Sequence, residues 1–316
     1  MRLLKLIPDN TNIDFMRWRN LAAVLSIIAV IASLTVLSLR GLNLGIDFVG
    51  GQMVRTTFAQ PVIIDELRAR VSALDQGDAT IQEMGDSRTY QIRLPKPEGP
   101  DTAAAAAVGE LRAMIERDYP GASVGAGESV SGKVSGELAR DGALAIALAM
   151  LGVAIYIWFR FEWHFGVGAL VTLFHDVSVM LGFFAATQMQ VDLNIVAGFL
   201  AIVGYSLNDT VVIYDRIREN LRKFRKMAIV TLLNLSLNET LSRTIVTSTS
   251  ILLALGVLLL LGPQTIFGLT LTIFLGTLIG TYSSIYISAP MLIWLGLTPD
   301  SFVRGDPADP PARQAA

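Results

Sequence analysis

A chain of 316 residues with 52% apolar side chains and a mean hydropathy of +0.53 is too apolar for an ordinary soluble domain, and its apolar residues cluster in long runs. A formal net charge of −2 argues against nucleic acid as a main partner. With no cysteine and two histidines, His164 and His175, the sequence excludes disulfides, thiol chemistry, cysteine-based metal sites and a histidine-rich metal site.

The N-terminal arm, residues 1–20, carries Arg2, Lys5, Arg17 and Arg19. It leads into Leu21–Leu39, an uncharged run long enough, at about 1.5 Å per residue, to cross a hydrocarbon core of about 30 Å. Backbone groups cannot go unsatisfied in lipid, so this run is expected to be a helix. It is too long for a signal-peptide core and no small-x-small cleavage site stands out, so it reads as an uncleaved anchor.

Residues 40–141 are patterned like a globular domain. Gly51–Phe58, Thr80–Met84, Arg88–Leu94 and Ala122–Val130 read as strands; Ile63–Leu74 and the alanine-rich Thr102–Tyr119 read as helices. The order βαββαβ is that of a ferredoxin-like α+β sandwich. Small residues in Ser129–Gly136 suggest a flexible connection onward.

Five further spans occupy 142–297: Gly142–Phe159, Gly166–Thr187, Leu193–Tyr214, Leu241–Leu261 and Thr265–Leu297. The last is long, and one tilted helix bent near Pro290 fits better than two. The fold class is therefore an α-helical integral membrane protein of six transmembrane helices with one ferredoxin-like domain. Short segments rich in Lys and Arg stay cytoplasmic. The arm and the basic loop 215–240, with Arg216, Arg218, Arg222, Lys223, Arg225 and Lys226, fall on one side when both termini are cytoplasmic. That places 40–141 outside the cytoplasm. Within the basic segment, Met227–Leu241 aligns Val230, Leu233, Leu237 and Leu241 on one helical face. An interfacial helix against anionic lipids and a packing helix under the bundle both remain open. The tail 298–316, rich in Pro, Ala and Asp, reads as disordered.

Ionisable groups inside a span are costly and usually face a bundle interior or a hydrated path. Asp209, beside Asn208, lies about 8–10 Å inside the end of its helix, with Tyr205 one turn away and Arg243 opening the next span. Low dielectric favours a neutral carboxylate and a neighbouring guanidinium favours the charged one. A carboxylate between those influences is suited to taking a proton from one side and releasing it to the other. A purely structural Asp209–Arg243 ion pair that fixes helix register stands beside that reading. His175 and Asp176, near the middle of the third span, read either as part of an ion path or as polar glue between helices. Thr244, Thr247, Ser248, Thr249 and Ser250 add hydroxyls that either hold water near Asp209 or bond back to their own helix. Gly268, Gly276 and Gly280 read as close helix packing. No nucleophile–base pair, phosphate loop or metal cluster appears, so no catalytic residue, cofactor or metal is expected.

Three strings, GLNLGIDFVGG (Gly41–Gly51), VGYSLNDTVVIYDRIREN (Val203–Asn220) and LNETLSRTIVTSTS (Leu237–Ser250), closely resemble the SecF family of the bacterial Sec protein-export machinery, part of the RND superfamily. The likeness runs from about Leu3 to Leu297. It implies a subunit of the bacterial cytoplasmic (inner) membrane that pairs with SecD and associates with the SecYEG channel, often with YajC. Such a subunit uses the proton-motive force to pull preproteins outward after the ATPase SecA has pushed them. The resemblance implies that Asp209 is the family's intramembrane aspartate, Arg243 its charged partner, and His175 and Asp176 the polar pair of the third span. It also implies that Gly45, Asp47, Gly50 and Gly51 belong to a signature hinge where the outside domain meets the membrane. Capping a tight turn is the other reading for Asp47. Some relatives couple to sodium, for which Asn208, Asp209 and the fifth-span hydroxyls offer oxygens; protons are the expectation. The competing reading is half of an RND-type small-molecule or lipid exporter, for which one modest outside domain leaves little room.

Overall fold

The computed structural model describes residues 11–74, 77, 79–84, 86–95 and 101–298; the expectations for residues 1–10 and for the tail beyond Thr298 lie outside them. In chain order the elements are a 3-10 turn (Phe15–Trp18), α1 (Arg19–Arg40), α2 (Ile46–Val49), β1 (Gly51–Thr57), α3 (Ile64–Ser72), β2 (Thr80–Met84), β3 (Asp86–Leu94), α4 (Asp101–Asp118), β4 (Ser123–Val124) and β5 (Glu128–Val130). The helices α5 (Gly132–Arg160), α6 (Trp163–Thr187), α7 (Leu193–Lys223), α8 (Ile229–Leu261), α9 (Phe267–Ser283) and α10 (Ala289–Trp294) follow. Two compact units result: Leu42–Ile146 with Gln188–Val196, and Met1–Gly41 with Ala147–Thr187 and Ala197–Ala316.

The first unit is built on an antiparallel sheet in the order β2-β3-β1-β4, with β5 also on β1. This is the ferredoxin-like order. The alternating pattern of the strands turns Val54, Tyr90, Ile92 and Leu94 toward Leu67 and Val71 of α3 and Leu111 and Ile115 of α4, and all of these are buried. The single last strand expected over Ala122–Val130 is divided. Thr56 faces Val124 while Gln52 faces Ser129, a register slip of one residue. An extra residue between them makes a bulge, and Gly125 fills it because a Cβ there would meet the Arg55 carbonyl at 3.0 Å. Ser129–Gly136 is likewise not a flexible connector: β5 ends at Val130 and α5 begins at Gly132.

Among the described residues, six helical runs are long and apolar enough to cross a membrane. Most of the expected basic loop 215–240 is helix. α7 continues to Lys223 and α8 starts at Ile229. Over 33 residues α8 reaches about 50 Å, well beyond a hydrocarbon core. Its first turns do not lie flat as an interfacial helix. Leu232, Leu233, Leu237 and Leu241 are buried in one cluster with Phe165, Tyr214 and Leu221. The last span is one path broken by a π-turn, Ser284–Ser288, between α9 and α10. Pro290 has no N–H to give the carbonyl of Tyr286, and the π-turn is where the helical ladder shifts to absorb that loss. The Tyr214 hydroxyl donates to the Ser288 carbonyl at 3.1 Å in the same region.

Within the helical unit, helices meet where a side chain is missing. A Cβ on Gly182 would lie 2.6 Å from the Cα of Ser33 on α1, and one on Gly276 would lie 2.2 Å from Cδ1 of Ile202 on α7. Lipid gives helices no hydrophobic drive to associate, so close approach through small residues supplies the packing. Gly152 on α5 has nothing within 4 Å. Gly182→Ala is expected to lower stability by about 1–3 kcal/mol, whereas Gly152→Ala is neutral or slightly stabilising. Melting curves of the two variants in the same detergent check this; equal melting temperatures would refute the packing account.

Candidate functional site

Asp209 faces the interior of the helical unit and is 4% exposed. Its Oδ2 lies 3.5 Å from Ser248 Oγ on α8, at the outer limit of a hydrogen bond. Ser248 Oγ is in turn 2.9 Å from Thr281 Oγ1 on α9. The Tyr205 hydroxyl is buried without a well-formed hydrogen bond to a described residue. Thr244 Oγ1 is also buried, with no hydrogen-bond partner among the described residues. Thr247 and Ser250, by contrast, donate back to carbonyls of α8.

The expected Asp209–Arg243 ion pair is not formed among the described residues. Arg243 is exposed. The reason is helical geometry: position 243 is about 140° round the axis from position 248, the side facing Asp209. Asn208 is exposed as well, on a different side of α7 from Asp209.

A second carboxylate lies deeper. Asp176 on α6 has no exposed surface. Its Oδ1 meets His175 Nδ1 at 2.9 Å, while Oδ2 accepts from Ser206 Oγ of α7 at 2.6 Å and from Ser283 Oγ of α9 at 2.9 Å. Three helices therefore converge on one side chain. Gly280 makes room, since a Cβ there would meet Ser206 Cβ at 3.2 Å. Sequence reading missed Ser206 and Ser283. The available signal was Ser206 one turn before Asp209, opposite a glycine pair spaced by four.

The signature segment belongs to the α/β unit. Gly50 and Gly51 have φ of 73° and 113°, a region glycine enters at little cost. Gly45 N donates to Val191 O and Val191 N to Asn43 O, both at 2.8 Å, so the segment pairs with the α6–α7 connection as a short parallel bridge. Asp47 does not cap a local turn. Its Oδ2 accepts from the backbone N–H of Leu193, the first residue of α7, at 3.0 Å. Asp192 Oδ1 accepts from Ile195 N at 2.9 Å, so two carboxylates sit at the N-terminus of α7. That end carries unsatisfied N–H groups and a partial positive charge, which favours acidic side chains.

Burial pushes the Asp192 carboxyl above the usual carboxylate range, and the Asp47 charge adds to the effect. Folding therefore disfavours the charged form of Asp192. The penalty is present above its raised value and is relieved as pH falls. Asn caps as well as Asp, so Asp192→Asn should melt at pH 7 at or above the wild-type temperature. Asp192→Ala, which removes the cap, should lose about 1 kcal/mol. Matched thermal unfolding at pH 7 checks the pair, and a large loss in the Asn variant would contradict it.

Residues 111–298 match the family described as Protein export membrane protein SecD/SecF, C-terminal, and residues 35–62 match the SecD/SecF GG Motif. The chain is 41% identical to Protein translocase subunit SecF of Cereibacter sphaeroides over 93% of each chain. It is 40% identical to Protein translocase subunit SecF of Pseudomonas aeruginosa over 92% of this chain and 94% of that one. The crystal structure of SecDF, a translocon-associated membrane protein from Thermus thermophilus, superposes with a TM-score of 0.84 at 29% identity over 92% of this chain. SecDF in its super-membrane-facing form gives 0.66 at 32% identity over 90%. This chain spans 39% of the length of each solved SecDF chain.

Proposed function

The chain belongs to the SecF family of SecD/SecF protein-export membrane proteins, and we propose that it draws on the proton-motive force through Asp209 to promote preprotein translocation across the bacterial cytoplasmic membrane. Its role as an auxiliary subunit of Sec protein export, in a multi-pass membrane protein, follows from that membership. The energetic reading rests on one observation: Asp209 is a nearly fully buried carboxylate in a spanning helix, with one long hydrogen bond and no ion pair among the described residues. A carboxylate so loosely held changes its protonation state with little rearrangement of its own partners. In the charged state the helices rearrange so that Arg243 pairs with it; in the protonated state Arg243 is released. The energy available is about 2.3 kcal/mol per charge per 100 mV plus about 1.4 kcal/mol per pH unit. That biases a two-state element by a few kcal/mol. A sodium site would need several oxygens, and Asn208 lies on a different side of the helix, which favours protons.

SecD is the partner this reading requires. Asn208 and Arg243 are exposed on helices built for lipid, where polar groups need cover, and the SecDF chains contain more than twice this length of sequence. SecYEG, YajC and, indirectly, SecA complete the assembly, with preproteins as substrate. Arg222 and Lys223 end α7, and Arg225 and Lys226 lie between it and α8, suited to anionic headgroups on the cytoplasmic face. Both termini are cytoplasmic and the α/β unit is outside.

Asp209→Asn should leave insertion and SecD binding intact while removing the gain in translocation that an imposed proton gradient gives wild-type vesicles. A full gain in Asp209→Asn vesicles would make the aspartate structural. Because the chain has no cysteine, single cysteines report topology without background. A cysteine at Ser87 should react from outside sealed cells, and one at Lys223 only after the membrane is opened. Reaction of the Lys223 site in sealed cells would reverse the orientation.

A further inference from the structure

Within the helical unit, the N-terminal arm lies against the first turns of α8 and is fixed there by two asparagines one turn apart. Asn238 meets the Ile13 backbone twice, accepting from its N–H and donating to its carbonyl, both at 2.9 Å. Asn234 accepts from Met16 N at 3.0 Å and donates to Asp14 Oδ1 at 2.8 Å. Phe15 and Met16 are buried in the core cluster. Beside this contact is a cleft of about 240 Å³ lined by Asp14, Arg17, Arg19 and Asn20, with Met16 and Val230. It holds both signs of charge, yet among the described residues none of its three charged side chains forms an ion pair. Asp14 Oδ1 is held by Arg17 N at 3.1 Å and by Asn234, which leaves Oδ2 without a described partner. Arg17 lies over the Trp18 ring, 5.8 Å from its centroid. Charges of opposite sign held apart in one cleft suit an occupant that carries both.

The cleft opens at the start of a lipid-facing surface. α1 is uncharged from Asn20 to Leu39. Asn20, Val24, Ile28 and Ile31 recur every three to four residues, on one helical face, and the three apolar ones are more than half exposed. Trp18 is exposed as well, as suits an aromatic ring at a membrane–water boundary. We propose that this cleft binds a phospholipid whose headgroup carries an amine. The phosphodiester lies between Arg17 and Arg19, the ammonium meets Asp14 Oδ2, and the acyl chains follow the apolar face of α1. Guanidinium groups match phosphate oxygens. A headgroup without an amine would set its phosphate against the Asp14 charge with nothing between them, and a water-soluble phosphate would leave the apolar face unused. The turn Arg222–Met227 is the contrast: its hollow of about 540 Å³ is lined by four cations and no acid, a place for any anion.

The full-length chain, purified with SecD in detergent, is offered equal amounts of phosphatidylethanolamine and phosphatidylglycerol with the same acyl chains, and retained lipid is identified by native mass spectrometry. Wild type should retain phosphatidylethanolamine with a preference of about threefold, the worth of one exposed ion pair. Asp14→Asn, which keeps the Oδ1 contacts, should retain lipid and lose the preference. Arg17→Gln with Arg19→Gln should weaken retention about tenfold. Lys223→Gln with Lys226→Gln should leave the preference as it is. Equal wild-type retention of the two lipids, or retention unchanged by the arginine pair, would overturn the proposal. Displacement of the lipid by water-soluble phosphoethanolamine at the same concentration would overturn it too, as a site for the headgroup alone. Bound mass is read without export, so failure of this site and failure of the Asp209 reading are separate results.

Discussion

A carboxylate with no exposed surface, in a helix otherwise made for lipid, must take every hydrogen bond from protein. Asp176 imposes that constraint on the helical unit. To satisfy it, α7 and α9 must each bring a hydroxyl to the same oxygen, and they can do so only if their backbones come close. The glycines follow from that need. Gly276 lies against Ile202 and Gly280 against Ser206, with no room for a methyl group at the first. Packing, polar satisfaction and backbone approach are thus one arrangement seen at three levels.

The two buried aspartates are held in opposite ways. Asp176 has three partners at 2.6–2.9 Å, whereas Asp209 has one at 3.5 Å. A saturated carboxylate resists a change of state; a nearly unpartnered one is sensitive to any change in field or protonation. α7 carries both contacts, through Ser206 and Asp209, and its N-terminal N–H groups are held by Asp47 and Asp192. Within the helical unit, one helix therefore joins the fixed cluster and the loosely held carboxylate. α9 reaches both clusters too, through Ser283 and Thr281, just before the π-turn. A π-turn is a weak point in a helical ladder and is frequent at functional sites.

Much of the fold was legible because its signals are coarse. Apolar runs of spanning length and period-two strands gave six spans and the βαββαβ order, and the sheet closes in the ferredoxin-like order. The finer misses share a cause, namely direction around a helix axis. Arg243 and Ser248 are five residues apart and both near Asp209 along the axis, yet they point about 140° apart. In the sequence Ser206 and Ser283 cannot be told from Thr247 or Ser250, which merely bond back to their own helix. Which hydroxyl turns across to another helix depends on the neighbour's glycines, a tertiary fact. The continuity of α8 was hidden because its first turns are amphipathic and its last turns apolar, so one helix looks like two. The bulge at Gly125 left only a cluster of glycines as its trace.

The central claim is that Asp176 organises the helices through its hydroxyl partners, and a double-mutant cycle tests it most directly. Asp176→Asn, Ser206→Ala and the double variant are compared for unfolding free energy in bicelles, with Thr247→Ala, whose hydroxyl bonds back to its own helix, as a control alone and with Asp176→Asn. Hydrogen bonds to charged groups contribute about 1.5–3 kcal/mol. The account predicts that Asp176 and Ser206 are coupled by at least about 1 kcal/mol, while Asp176 and Thr247 add independently. A coupling between Asp176 and Ser206 indistinguishable from zero would contradict it.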